Sequence, residues 1–112
     1  MKIKQVIQSI EDIANRYGLK ILSLDFTDIT LFSRIGFSSE VFIQIYVNIK
    51  KQKTNLALIV ADERAYGIDK EGGFYHEHPF NNPSNHIKTE QIEIEDFIVK
   101  SLEFLKTMKL LG

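Results

Sequence analysis

The sequence contains no cysteine and no tryptophan, only two prolines, and no long apolar run. The absence of cysteine excludes disulfide bonds and metal sites built from thiolates. No apolar stretch reaches the length of about 18 residues that a membrane-spanning helix needs. Charged residues spread through positions 1–18 also interrupt any hydrophobic segment of a signal peptide. We therefore expect a cytoplasmic protein with no membrane partner.

An excess of charge of one sign is missing as well. Lys and Arg number 14 and Asp and Glu number 15, which gives a formal net charge of −1. This balance argues against a protein whose whole surface binds nucleic acid, although it leaves room for a local basic groove. With 112 residues, 44% of them hydrophobic and 26% charged, the chain is typical of one globular domain spanning 1–112.

Two segments show the spacing of amphipathic helices. Apolar residues recur three and four positions apart across 3–17, and Gly18 follows in a position that suits a left-handed helix end. A second set lies in 95–110, with acidic residues near its start and lysines toward its end, which is the charge order that the helix dipole favours. We predict a helix at each end of the chain.

The residues between these helices have strand character. In 40–49 a period of two places one wholly aliphatic face toward the core, and connections of about two to six residues favour hairpins over parallel crossovers. The predicted strands are 19–26, 29–35, 40–49, 56–61, 65–69 and 74–78, and 91–95 is a weak strand or an extended approach to the second helix. We predict an α+β fold: an N-terminal helix, an antiparallel meander sheet of about five to six strands, and a C-terminal helix packed on one face.

All three histidines, His76, His78 and His86, fall within eleven residues. His76 and His78 are two positions apart on a predicted strand and therefore share a face, and a loop long enough to fold back precedes His86. Imidazole titrates near neutral pH, so these side chains suit general acid–base chemistry without a cofactor. It is also the commonest metal ligand, so a site for a transition metal such as zinc, held by the three histidines, is an alternative. Solvated histidines near a hairpin edge are the third interpretation.

Two charged residues lie close to the histidines in the sequence. Asp69 precedes the turn Lys70-Glu71-Gly72-Gly73 of a predicted hairpin, and a carboxylate there can orient an imidazole if the strand register brings the two together. Arg64 begins the same segment and can stabilise developing negative charge. The glycines lack the strand–GxxxxGK–helix context of a phosphate-binding loop, so we interpret them as turn residues.

Residues 64–86 resemble the middle of small prokaryotic toxins of the TumE-like kind, which belong to toxin–antitoxin pairs. The matching residues are Tyr66, Asp69, His76, His78, Pro79 and His86. Where that family tends to have histidines directly after the aspartate, this chain has Lys70-Glu71-Gly72-Gly73. The resemblance implies a translation-inhibiting or RNA-cleaving toxin that a partner antitoxin neutralises.

Together, the side chains and the resemblance suggest a reaction scheme. His76 or His78 would remove the proton of a 2′-hydroxyl and another histidine would protonate the leaving oxygen. Arg64 would stabilise the transition state and Asp69 would orient a histidine.

A non-catalytic interaction module or small homodimer is the competing hypothesis. Phe42 and Tyr46 lie on the mixed face of the predicted strand 40–49, and an unpaired sheet edge can add a strand from another chain.

Overall fold

The structure, a computed structural model, describes residues 2–71, 74–78, 87–89 and 92–109, and it describes only the backbone of 78 and 87–89. Its elements in chain order are α1 (Ile3–Tyr17), β1 (Lys20–Phe26), β2 (Thr30–Gly36), β3 (Val41–Asn48), β4 (Lys53–Val60), β5 (Glu63–Glu71), β6 (Phe74–His78), β7 (Ile87–Thr89) and α2 (Ile94–Thr107). The predicted helix at 3–17 is confirmed, and Gly18 ends it with a φ of 67°.

The strands form a single antiparallel sheet in which each strand pairs with its neighbours in the chain, in the order β1 to β7. This meander confirms the predicted α+β architecture. Strands β1 to β6 correspond to the six predicted strands. The three-residue β7 was not predicted. Residues 91–95 were predicted as a weak strand or an extended approach to the second helix. The backbone of Glu93 is extended and Ile94 begins α2, so the described residues there form the approach and not a strand.

One face of the sheet carries the core. Its side chains alternate along β2 to β5 and are almost fully buried: Leu31, Ile35, Ile43, Ile45, Leu56, Leu58, Tyr66 and Ile68. Both helices pack on this face and contribute Ile10, Ile13, Phe97, Ile98 and Leu105. Each such side chain contributes about 1.5–3 kcal/mol when it leaves water.

The two helices are also joined at their ends. The Tyr17 hydroxyl donates to Glu95 at 2.7 Å, and Arg16 forms an ion pair with the same carboxylate. Hydrogen bonds from Arg16 and Tyr17 lower the pKa of Glu95. The end of α1 is therefore tied to the start of α2 at the margin of the core.

The opposite face of the sheet is not covered by either helix, and we call it the open face. Strand alternation and register assign to it Phe32, Arg34, Phe42, Gln44, Tyr46, Asn55, Ala57, Gly67, Asp69 and His76. The polar residues among them lie on the face of the sheet opposite the core. Neither described helix is both long and apolar enough to cross a bilayer.

Candidate functional site

The site begins with an irregularity in β5. The pairing of β4 with β5 shifts by one residue, so that Leu58 faces Tyr66 while Ile59 faces Arg64. Ala65 is the extra residue of this bulge. In a regular strand Arg64 would share the core face with Tyr66, because side chains two apart point the same way. The bulge instead turns Arg64 onto the open face, which is a common use of bulges.

On that face Arg64 pairs with Asp69. Its Nη2 donates to Asp69 Oδ1 at 2.8 Å, and its Nη1 lies 3.3 Å from Asp69 Oδ2. Nη2 also donates to the main-chain oxygen of Leu56 at 3.3 Å. The two side chains are 32% and 20% exposed, so this forked ion pair is partly shielded from water. Such a planar, two-point contact fixes the orientation of the carboxylate.

Gly67 gives the ion pair its space. A Cβ atom at this position would overlap the guanidinium of Arg64, which lies directly over the glycine backbone. Ala57, the registered partner of Gly67 on β4, is also small and buried. Two small neighbouring residues thus create the depression in which Arg64 reaches Asp69.

His76 joins the site through strand register. Asp69 pairs with His76 across the β5–β6 hairpin and with Asn55 on its other side. Directly opposed residues have Cβ atoms about 4.5–5.5 Å apart and side chains on the same face. A carboxylate oxygen can accept more than one hydrogen bond, so pairing with Arg64 does not by itself prevent a contact between Asp69 and His76. The order across the open face is therefore Asn55, Asp69, His76.

The site contains polar atoms that are not satisfied internally. Among the described residues, the buried Oδ1 of Asn55 and Nε of Arg64 have no hydrogen-bond partner. One is an acceptor and the other a donor. Buried polar groups normally find partners, so each offers an attachment point for a water molecule or a ligand group.

The structure describes only the backbone of His78 and does not describe His86. His78 ends β6 opposite Gly67, which keeps its backbone in line with the site, but its side chain lies outside the described residues. His86 and Pro79 lie outside them altogether. Within the described part of the chain no group of three or more His, Asp or Glu side chains is arranged to hold a metal ion. The three-histidine metal site includes these two residues and stays a prediction.

Tyr66, which matched the toxin resemblance, lies on the core face and away from the site. Its ring stacks on Phe97 with the centroids 5.1 Å apart. Burial, reinforced by the negative charge of Glu77, raises the pKa of Tyr66. Glu77 itself lies on the core side of β6, opposite Ile68, as its position between His76 and His78 predicts. Tyr66 therefore contributes to packing.

Asn55 and Gly67 were not among the predicted site residues. Asn55 had no signal in the sequence, because only the β4–β5 register reveals that it stands beside Asp69. Gly67 did carry a signal: it interrupts a strand, and such glycines often mark a close approach of another group.

Comparison of the chain with family models, with curated proteins and with solved structures finds no match. Only the side chains and their geometry therefore indicate a function.

Proposed function

We propose that this chain is a metal-independent ribonuclease whose reaction centre lies on the open face at His76. The observation that carries the proposal is the registered pair of Asp69 with His76, in which the carboxylate is itself oriented by Arg64. A carboxylate beside an imidazole fixes its tautomer and orientation, the arrangement used by many acid–base sites.

The proposed reaction is transfer within the RNA strand. His76 accepts the proton of a 2′-hydroxyl, and the freed oxygen forms a new bond to the adjacent phosphorus. The bond from phosphorus to the 5′ oxygen breaks, and that oxygen receives a proton from a second histidine, His78 or His86. The products are a 2′,3′-cyclic phosphate and a free 5′-hydroxyl, so no external reactant is consumed.

Arg64 has a different part in this proposal from the one that the sequence suggested. Its Nη atoms are engaged by Asp69 and by the Leu56 carbonyl. Arg64 therefore acts as a positioning residue for Asp69, and contact of its guanidinium with a phosphate would compete with that ion pair.

The test is cleavage of a mixed-sequence RNA oligonucleotide by the purified protein in the presence of a chelator. We expect cyclic-phosphate ends with wild type, and a loss of at least about 100-fold in rate for His76→Ala, in line with removal of an acid–base group. A 2′-O-methyl oligonucleotide of the same sequence should remain intact. Glu77→Gln, on the same strand but the opposite face, is the matched control and should retain activity.

Two results would refute the proposal. One is wild-type protein that leaves the unmodified oligonucleotide intact. The other is a His76→Ala variant that cleaves as fast as wild type, which would assign the reaction to a contaminant or to other residues.

We further propose, from the resemblance alone, that the cleaved RNA is cellular and that an antitoxin protein restrains the activity. Induced expression should arrest growth with wild type and not with His76→Ala. Equal growth of the two strains at equal protein levels would exclude this biological role but would not bear on the proposed cleavage reaction. A homodimer or a complex with a partner protein, without RNA cleavage, would instead support the non-catalytic interaction module.

A further inference from the structure

One of the three arginines lacks a carboxylate partner among the described residues. Arg16 pairs with Glu95 and Arg64 pairs with Asp69. Arg34, on the open face, is exposed, and the contacts of its guanidinium in the described part of the chain are with two phenyl rings and an amide.

These contacts hold the guanidinium in place without neutralising it. Its central carbon lies 5.5 Å from the centroid of Phe32 and 5.1 Å from that of Phe42. Nε donates to Gln44 Oε1 at 3.4 Å. Because Nε donates to Gln44, the N–H groups of Nη1 and Nη2 can donate to a ligand. An arginine stabilised by aromatic rings and presenting its fork is well suited to a phosphate, which it can bind at two points.

The position of Arg34 relates it to the reaction centre. It lies on β2 in a row with Gln44, Ala57 and Gly67, and His76 lies one step along the strand direction on β6. Four strand-to-strand steps of about 4.8 Å separate the two, or about 19 Å across the sheet. Between them, Ala57 carries only a methyl group and the guanidinium of Arg64 lies over Gly67.

We propose that Arg34, with Phe32, Phe42 and Gln44, is a phosphate-binding subsite that anchors an RNA strand at a distance from the scissile bond. The inference rests on the proposed ribonuclease function and extends it to the path of the substrate. The strand crosses the open face from β2 toward β6, roughly perpendicular to the β-strands. An acidic peptide is the competing occupant, and the experiment distinguishes the two.

The test is equilibrium binding of a fluorescent 2′-O-methyl RNA oligonucleotide, which cannot be cleaved through its 2′-hydroxyl. Arg34→Gln should weaken binding about 5- to 10-fold, as loss of one charged contact does. It should also reduce the slope of log K against log salt by about 0.7, the value for one phosphate contact with a single strand. Arg16→Gln changes the net charge equally on the helix side and should alter neither quantity.

Equal effects of the two substitutions, or no effect of either, would overturn the phosphate subsite. A fluorescent polyglutamate peptide that binds as tightly as the RNA and depends equally on Arg34 would overturn the choice of occupant. Arg34→Lys should recover only part of the affinity, because an ammonium does not present the planar fork.

The two proposals can fail separately. Cleavage that depends on His76 but shows an unchanged KM in Arg34→Gln would overturn the subsite and leave the ribonuclease standing. Binding that depends on Arg34 without any cleavage by wild type would overturn the ribonuclease and leave an RNA-binding surface.

Discussion

At the scale of single residues, the site depends on the lack of a side chain at Gly67. Gly67 has no Cβ, and the guanidinium of Arg64 occupies the space where one would stand. The distal end of Arg64 is flexible, so a methyl group there would displace the arginine more readily than the strand. The integrity of the ion pair with Asp69 is therefore coupled to a residue that makes no polar contact with it.

We predict that Gly67→Ala destabilises the protein by about 1–3 kcal/mol, the usual cost of overpacking. In an Arg64→Ala background the same substitution should be neutral, or stabilising by up to about 1 kcal/mol through a less flexible unfolded chain. Urea denaturation of the four proteins in this cycle gives the coupling free energy. Additive effects would show that Arg64 does not lie over Gly67.

Tyr66 makes stability sensitive to alkali. Burial and the charge of Glu77 raise its pKa above the ordinary value of 10, so the folded state keeps the phenol protonated while the unfolded state ionises. The contribution is complete below about pH 10 and is lost as pH rises further. We predict that the free energy of unfolding falls by up to about 1.4 kcal/mol per pH unit in that range.

Tyr66→Phe is the control for this prediction, because it keeps the ring and removes the ionisation. Unfolding by urea, followed at several pH values from neutral to alkaline, should show a shallower decline for the variant. Tyr17 also has a raised pKa, but it is present in both proteins and cancels in the comparison. Parallel curves would contradict the buried environment of Tyr66.

Several residues of the site could be predicted from the sequence, but their arrangement in space could not. The clustering of the histidines and the nearness of Asp69 are visible in the sequence. The pairing of Arg64 with Asp69 is not, because simple alternation along β5 places positions 64 and 69 on opposite faces. Only the bulge at Ala65 brings them together, and no glycine or proline marks it.

At the scale of elements, the β4–β5 hairpin turns through Ala61 and Asp62, which both have positive φ values, 51° and 66°. A turn of this kind suits Asn-Gly, since an alanine has no local compensation for the left-handed conformation. The sequence therefore gives no signal for this turn, and the two predicted strands end at 61 and begin again at 65. The structure continues β5 back to Glu63.

We predict that the double substitution Ala61→Asn, Asp62→Gly stabilises the protein by about 0.5–2 kcal/mol, by relieving the left-handed alanine. Thermal unfolding measures the gain. The same pair of residue types placed at Ser38 and Ser39, where neither residue has a positive φ, is the matched control and should give no gain. A loss of stability from the Ala61 and Asp62 pair would mean that the turn has another conformation.

The hydrophobic periodicity predicts the ends of a helix or strand well when only one of its faces packs on the core. The stripe of α1 and the alternation of β3 both face the core, so their limits were predicted within one or two residues. The three-residue β7 has too few positions to show any period, and Ile92 and Ile94 mimic a strand while leading into α2.

The β1 edge of the sheet is a poor template for another strand. The register of β1 against β2 shifts between Ile21 and Ser23. A bulged edge discourages pairing between chains. Among the described surfaces, the open face is thus better suited to a partner than the β1 edge.

At the scale of the whole molecule, the sheet separates the residues of the core from those of the proposed reaction centre. Its core face holds the packed aliphatic residues and its open face holds Arg34, Asp69 and His76. Substitutions of His76 on the open face and of Ile45 on the core face should therefore each leave the property of the other side nearly unchanged.

We predict that His76→Ala lowers the free energy of unfolding by less than about 1 kcal/mol, while it abolishes the proposed RNA cleavage. Ile45→Val, on the core face of β3, should cost about 0.5–1.5 kcal/mol and leave the KM and kcat of cleavage unchanged below the melting transition. Denaturation and kinetic assays on both variants check the division. Loss of activity in Ile45→Val under folding conditions would refute it.

The meander topology also bears on how quickly the chain finds its structure. Every strand pairs with a segment next to it in the chain, so the sheet can assemble by successive local loop closures with a low contact order. We therefore expect faster folding than in Greek-key proteins of equal length, where distant strands must meet first. The exception is the contact between α1 and α2, whose linked residues Arg16 and Glu95 are 79 positions apart. We expect closure of that contact to be the last step of folding, after the sheet has formed the surface on which both helices dock.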